Sequence, residues 1–171
     1  GGTHLPDVTV ITPVYDEPGK EILFYVGSRG HHADIGGITP GSMPPDSTTV
    51  EEEGVLIDNF LLVEEGRFRE KETAALLSSG KYPARNVPQN VADLRAQIAA
   101  NEKGVQELGK MVEHFGLDVV YAYMNHVQAN GEESVRRVIG VLKDGEFEVP
   151  LDNGALIRVR IRIGADRRSA A

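Results

Sequence analysis

The residues best suited to chemistry lie in one stretch, Arg29 to Pro45, with the sequence RGHHADIGGITPGSMPP. It contains two of the five histidines, His31 and His32, and an aspartate, Asp34. Glycine and proline then replace any regular apolar repeat, and such a stretch can neither continue a helix nor pair as a central strand. It is therefore predicted to be an ordered loop, and titratable side chains on ordered loops are typical of binding and catalytic sites.

Two strand-like segments precede this loop and position it. Val8–Tyr15 and Glu21–Ser28 are rich in β-branched and apolar residues, and the turn residues Asp16–Lys20 separate them. They predict an antiparallel hairpin, and a turn centred near Pro18 makes paired positions sum to about 36. The open end of that hairpin gathers a polar group made of His4, Asp7, His31, His32 and Asp34.

Two imidazoles and a carboxylate from opposed strand ends form a donor set suited to Mn, Fe or Zn. Opposed side chains in such a pair lie roughly 5 Å apart at Cβ, which is close enough to share one ion. Successive strand residues point to opposite faces, so only one of His31 and His32 should join His4 and Asp7. The simplest register places His32 directly across from His4. The alternative is that His4 and His31 are unrelated loop residues that bond to backbone.

The remaining chain predicts an α+β fold, with the first hairpin and further strands followed by helices and then by C-terminal strands. A 3–4 apolar spacing indicates a long helix from Asn90, which resembles a capping-box start, to Gly116. A second striped helix follows, and the short break between them predicts an antiparallel helical hairpin. The other predicted elements are a strand pair or bent strand at Val55–Val63, a helix at Glu70–Leu77, and strands at Glu146–Val149 and Ala155–Ile163.

Composition narrows the function classes. The net charge of -8 argues against a nucleic-acid surface, since phosphate binding needs clustered Lys and Arg. The absence of cysteine excludes disulfides and thiolate sites and fits a cytoplasmic protein. No apolar run is long enough to span a membrane. Both ends look cut from a longer polypeptide, so residues 1–171 are expected to be a single partial domain.

Three other patterns are weaker. Gly104 to Lys110 has the GxxxxGK spacing of a phosphate-binding loop, but Met111 replaces its Ser or Thr and the segment lies inside a predicted helix. The glycines are therefore expected to allow close helix packing. The acidic run Glu51–Glu53 is expected to be a solvated face or strand start, with acid–base chemistry by paired carboxylates as the less favoured alternative. Arg158, Arg160 and Arg162 share one face of the last strand and form a weak candidate for an anion site.

The segments HLPDVTVITPVY, RGHHADIGGITPGSMPPDST, NVADLRAQIAANEKG and FGLDVVYAYMNHVQAN resemble the hydantoinase B/oxoprolinase family over nearly the whole chain. The strings GHHADIGGITPGSMPP and HVQAN are most like its 5-oxoprolinase branch. The resemblance implies ATP-dependent opening of the 5-oxo-L-proline lactam to L-glutamate. In this interpretation the chain is the N-terminal portion of a hydantoinase B/oxoprolinase domain and has no activity alone.

The resemblance also implies a division of labour. A separate hydantoinase A-like half binds ATP and Mg, and the full-length enzyme is a homo-oligomer. The carboxylase relatives hold a metal through residues that match His4, Asp7 and His31, so the resemblance favours His31 over His32. A one-residue bulge near Pro13 or Pro18 would reconcile this with the register. Asp34 could then orient an imidazole. Alternatives are a hydantoinase or acetone-carboxylase-like B component, or a non-catalytic assembly fragment.

Overall fold

A computed structural model describes residues 4–171 of the chain. The chain divides into two compact units, of which the first ends at Gly109 and the second covers Lys110–Ala171. The predicted α+β class is confirmed, because strand pairs near both ends of the sequence flank a long helical region. None of the helices among residues 4–171 has the length and apolar character needed to cross a membrane. The prediction of a single partial domain stays a prediction.

Strands β1 (Asp7–Tyr15) and β2 (Ile22–His31) form the antiparallel hairpin. The structure pairs Asp7 with His31, whereas the predicted register paired Asp7 with Arg29, so the predicted register is wrong by two residues. One residue comes from the turn, where the Asp16 N–H donates to the Glu21 carbonyl. The other comes from a bulge between Val14 and Tyr15, next to one of the two predicted positions.

The loop after β2 is held by a tight network of backbone contacts. It contains a short 3-10 turn at Pro40–Ser42 and leads to helix α1 (Val50–Glu53). Gly36 has a φ of 98°, and a Cβ there would lie 2.2 Å from the Tyr82 carbonyl oxygen, so no other residue fits. The predicted ordered loop is therefore confirmed, although β2 extends through His31 and shortens it.

Two expectations for the middle of the first unit are corrected. Of the two alternatives for the acidic run, the strand start is wrong, because Thr49 and Glu52 make a capping box and the run forms helix α1. Glu51 is exposed, in agreement with the other alternative, a solvated face. Residues 55–62 have no regular structure and only Val63–Glu64 (β3) pairs, with Arg67–Phe68 (β4). Local turns explain this, since Gly54 and Asn59 both have positive φ. Helix α2 (Glu70–Leu77) follows as predicted.

Helix α3 (Val87–Phe115) lies against the β1–β2 hairpin in the first unit. It begins three residues before the predicted start, because the Asn86 side chain accepts the Gln89 N–H at 3.3 Å and caps the first turn. Asn90 is thereby one turn into the helix and buried. The apolar core of this unit comprises Val8, Leu77, Ala84 and Leu94, with Val10, Ile57, Leu62 and Val87 packed on it.

The second unit contains helix α4 (Leu117–Val141) and strands β5 (Gly145–Pro150) and β6 (Leu156–Ile161). Gly116, with a φ of 85°, separates α3 from α4 as predicted. Much of the apolar stripe of α4 is exposed, including Val127 and Val135, so the helical-hairpin packing stays a prediction. The Arg167 guanidinium donates to the Gly140 and Leu142 carbonyls and closes the C-terminus of α4.

Candidate functional site

The open end of the β1–β2 hairpin brings His4, Asp7 and His31 together. The Nδ1 atom of His31 lies 3.0 Å from Oδ1 of Asp7, its partner across the strand pair. The rings of His4 and His31 are stacked, with centroids 5.2 Å apart and an interplanar angle of 24°. The His31 side chain is 61% exposed, so this group faces solvent. All three residues that the sequence predicted as metal ligands therefore lie side by side.

The Asp7 carboxylate fixes the tautomer of His31. The hydrogen bond from His31 lowers the pKa of the Asp7 carboxyl below its ordinary value of 3.8 and is the largest influence on it. The nearby His4 and Arg29 side chains lower this pKa further. An ionised carboxylate can only accept, so Nδ1 of His31 must carry the proton. In neutral His31 the Nε2 atom then bears the free lone pair, available to a cation or a proton.

The present side-chain orientations do not converge on one point. Among residues 4–171, no three His, Asp or Glu side chains are placed so that they could hold a metal ion as they stand. The closest approach in this group is instead the Asp7–His31 hydrogen bond. The structure thus brings the predicted donors together, but it does not arrange them as a metal-binding site.

His32 points away from this group and is 2% exposed. Its Nδ1 atom lies 3.0 Å from Nδ2 of Asn90, and its Nε2 atom lies 3.2 Å from Oε1 of Gln97, both on α3. Its backbone N–H donates to the Pro6 carbonyl. The predicted opposition of His32 to His4 is therefore wrong, because His4 lies before β1, in a turn where the Asp7 N–H donates to the His4 carbonyl, and its ring stacks on His31.

Asp34 acts on the loop and not on an imidazole, contrary to the role suggested for it. One carboxylate oxygen accepts the Gly36 and Arg85 N–H groups at 2.9 and 3.1 Å. The other accepts the Gly41 N–H at 3.1 Å and the Arg85 guanidinium at 2.7 Å. Burial alone would raise the pKa of Asp34, but these hydrogen bonds outweigh it and lower the pKa below 3.8.

Sequence reasoning missed two residues of this region, Asn90 and Gln97. Asn90 was interpreted as a helix cap, and Gln97 was overlooked beside Ile98. One signal could have found them, because Asn90, Leu94, Gln97 and Asn101 follow the same 4-3-4 spacing along α3. Amide side chains on the apolar face of a helix must find buried partners, so such a pattern indicates a polar network under the helix.

The weaker motifs are also placed. The GxxxxGK segment lies inside α3, which agrees with its rejection as a phosphate-binding loop. Close packing is confirmed for Gly104, where a Cβ would lie 2.8 Å from Cγ1 of Val26, but not for Gly109, which has open space. The arginines of β6 pair with acidic side chains: Arg158 with Glu148, Arg160 with Glu146, and Arg162 with Asp144 and Glu146. These pairs leave little support for an anion site.

Comparison with known proteins gives a consistent result. The model of the hydantoinase B/oxoprolinase family matches residues 1–171. A 5-oxoprolinase of Dictyostelium discoideum is 45% identical over 99% of this chain, and 5-oxoprolinase 1 of Arabidopsis thaliana is 43% identical over 100% of it. The chain spans only 14% and 15% of those relatives.

A solved structure agrees with these sequence matches. The crystal structure of ATP-dependent caprolactamase from Pseudomonas jessenii superposes on this chain with a TM-score of 0.76 and 26% identity. The superposition covers 99% of this chain and 29% of that one. The family model and these relatives cover essentially the whole chain, and the chain belongs to the hydantoinase B/oxoprolinase family.

Proposed function

We propose that this chain is part of an ATP-dependent cyclic amide hydrolase of the 5-oxoprolinase type, which converts 5-oxo-L-proline to L-glutamate. Identities of 45% and 43% to proteins named 5-oxoprolinase, across essentially all of this chain, are the observation that carries the proposal. The structural similarity to an ATP-dependent caprolactamase supports the same reaction class, since caprolactam is also a cyclic amide. In this proposal, the names of these relatives indicate the class of substrate, a cyclic amide.

We further propose that His4, Asp7 and His31 hold a divalent cation, with Mn, Fe and Zn as the candidates. Two imidazoles and an ionised carboxylate are the donor types such ions take, and the three side chains are already neighbours. The cation would take the Nε2 lone pair of His31 and leave the Nδ1–H group of that ring bonded to Asp7. When bound, it would supply Lewis-acid activation of a water molecule or a carbonyl oxygen.

The residues of this chain have definite tasks in that reaction. Asp7 keeps the Nδ1 atom of His31 protonated and directs the ring across the open end of the hairpin. This protonation leaves the exposed Nε2 atom of His31 free to bind the cation. The Asp34–Arg85 pair holds the loop that borders these side chains.

ATP and Mg belong, in this proposal, to a hydantoinase A-like half that this chain does not contain. The GxxxxGK segment is helical and cannot cradle a phosphate, and the chain spans about one seventh of its 5-oxoprolinase relatives. A lactam is a poor electrophile, so phosphorylation of its oxygen by the partner half would activate the carbonyl carbon for addition of water near His31. The ring C–N bond would then break, with a proton passing to the nitrogen, and a second water would hydrolyse the resulting acyl phosphate to glutamate and phosphate. A cytoplasmic location and a homo-oligomeric full-length enzyme complete the proposal.

The test is the substitution His4→Ala in the full-length polypeptide that carries this chain. We expect loss of bound metal and of glutamate formation, with unchanged ATP binding, because the nucleotide is held elsewhere. His126→Ala, which replaces an exposed histidine of α4, is the matched control and should keep full activity.

Turnover of 5-oxoproline, caprolactam, hydantoin and acetone should be compared in the same preparation. Preference for hydantoin or acetone would assign the chain to a different branch of the family. Retention of metal and turnover in His4→Ala would contradict the assigned site. An unaltered full-length enzyme that turns over none of the four substrates would favour an assembly role instead.

A further inference from the structure

Adjacent residues His31 and His32 occupy opposite faces of the end of β2 and are held in opposite ways. His31 is exposed and bonds to Asp7, whereas His32 is almost fully buried against α3. The proposed reaction uses only His31, so the buried imidazole is left without a function. A buried imidazole with both ring nitrogens bonded is well ordered, and its partners determine where each proton lies.

The partners of His32 allow one tautomer only. Nδ2 of Asn90 also donates to the Asp34 carbonyl at 2.9 Å, which can only accept, so this amide group must face His32 with its N–H. Nδ1 of His32 is therefore an acceptor. Independently, Nε2 of Gln97 donates to the carbonyls of Val8 and Ser28 at 3.0 and 3.2 Å. Oε1 of Gln97 thus faces His32, whose Nε2 atom must carry the proton.

These contacts connect α3 to both strands at the point where the His31–Asp7 pair forms. Gln97 bonds to Val8, which follows Asp7 in β1, and to Ser28 in β2. The backbone N–H of His32 donates to the Pro6 carbonyl, immediately before Asp7. The backbone at His31 is therefore held by the buried side chain of the next residue, His32, and by strand pairing with Asp7.

We infer that His32, Asn90 and Gln97 are positioning residues that hold His31 opposite Asp7 in its Nδ1–H form. This inference rests on the proposed function for the role of His31, although the positioning itself does not require a metal. Removal of hydrogen bonds behind a metal-binding histidine typically weakens metal binding by about 10- to 100-fold. The same scale is expected here, although His32 acts through the backbone and not through the His31 ring.

The chain offers a matched pair of variants. Gln97→Met removes an amide that bonds to the Val8 carbonyl and contacts His32. Asn101→Leu removes a comparable amide one turn later, which donates to the Val10 carbonyl and to the Thr12 hydroxyl rather than to a histidine. Both variants lose ties between α3 and β1, so both should lower the melting temperature. Only Gln97→Met should disturb His31.

Two measurements on the 171-residue chain separate positioning from simple loosening. Long-range ¹H–¹⁵N NMR of the imidazoles should show His31 as Nδ1–H and His32 as Nε2–H in the unaltered chain. In Gln97→Met, His31 should become a mixture of tautomers, and Asn101→Leu should leave it unchanged. Titration with Mn²⁺ alone should give an affinity about tenfold weaker in Gln97→Met and little changed in Asn101→Leu.

The outcomes are distinct. The inference is overturned if Gln97→Met keeps the His31 tautomer and the Mn²⁺ affinity, or if both variants alter them equally. Absence of Mn²⁺ binding by the unaltered chain would count against the proposed metal site, while the tautomer shift would still decide the positioning. If Gln97→Met does not fold, Asn90→Ala, which removes the donor on the other side of His32, is judged by the same criteria.

Discussion

At the scale of single residues, the site depends on carboxylates whose hydrogen bonds are directional. Asp7 accepts a hydrogen bond from the exposed imidazole of His31. Asp34, in the following loop, accepts four hydrogen bonds, which come from Gly36, Gly41 and Arg85. Both have a pKa lowered below 3.8 by these bonds. Because the folded state favours the ionised forms, both carboxylates stabilise the fold above pH 4 and lose that contribution as the pH falls through their lowered pKa values.

Asp34→Asn tests the loop network at this scale. Both carboxylate oxygens of Asp34 face only donors, so the amide NH₂ of Asn must meet one of them. The free energy of unfolding should fall by about 2–3 kcal/mol at pH 7, the scale for a lost hydrogen bond to a charged group. The difference from the unaltered chain should shrink below pH 3.8, as Asp34 itself becomes protonated. Urea unfolding followed by circular dichroism at several pH values measures both.

Asp16→Asn is the matched control for that experiment. Asp16 accepts the Lys20 and Glu21 N–H groups through a single oxygen in an exposed turn, and Asn can keep both bonds. Its unfolding free energy should change by less than about 0.5 kcal/mol. Equal stability of Asp34→Asn and Asp16→Asn would show that the loop does not depend on the carboxylate.

The sequence predicted much of this residue chemistry but not its geometry. His4, Asp7 and His31 were identified because their types and positions in a hairpin are informative. The exact pairing was wrong because a bulge between Val14 and Tyr15 and the closure of the turn at Glu21 depend on local packing. A register shift of two residues preserves which side chains share a face of the hairpin. Asp7 and His31 were therefore predicted on the same face, but Arg29 and not His31 was predicted as the partner of Asp7.

At the scale of elements, contact between α3 and the hairpin positions the site. The amide side chains of Gln97 and Asn101 on this helix donate to strand carbonyls. Gly104 lies where the helix comes close to Val26 of β2. Strongly periodic elements such as α2 and α3 were predictable because burial of one face imposes their spacing. The structure of residues 55–62 was not predictable in this way. Ile57 and Leu62 pack on the core although the segment has no regular structure, so its apolar sequence resembles that of a strand.

Gly104 and Gly109 provide a controlled test of that contact. Alanine at Gly109 meets no atom within 4 Å and should stabilise the protein by up to about 1 kcal/mol through helix propensity. Alanine at Gly104 would place a Cβ 2.8 Å from Cγ1 of Val26, so strain should exceed that gain and destabilise by about 1–3 kcal/mol. Thermal unfolding of both variants gives the comparison. Stabilisation by Gly104→Ala would mean that α3 does not approach the hairpin this closely.

At the scale of the whole molecule, the two compact units differ in how their apolar surface is used. The first unit buries an apolar core and a polar network beneath α3. In the second, β5 and β6 place Phe147, Ile157 and Val159 in exposed positions, while their other face carries ion pairs. With relatives about seven times longer, this distribution supports our proposal that the activity belongs to a larger assembly.

The central claim is that His4, Asp7 and His31 form one divalent-cation site at the open end of the hairpin. Its most direct test is the metal content of the 171-residue chain after loading with Mn²⁺, Fe²⁺ or Zn²⁺ and removal of free ions, compared with Asp7→Ala and His126→Ala. We predict about one bound ion per chain for one of these metals, lost in Asp7→Ala and kept in His126→Ala, because carboxylate and imidazole together select such ions. No bound ion in the unaltered chain, or equal content in Asp7→Ala, would contradict the account.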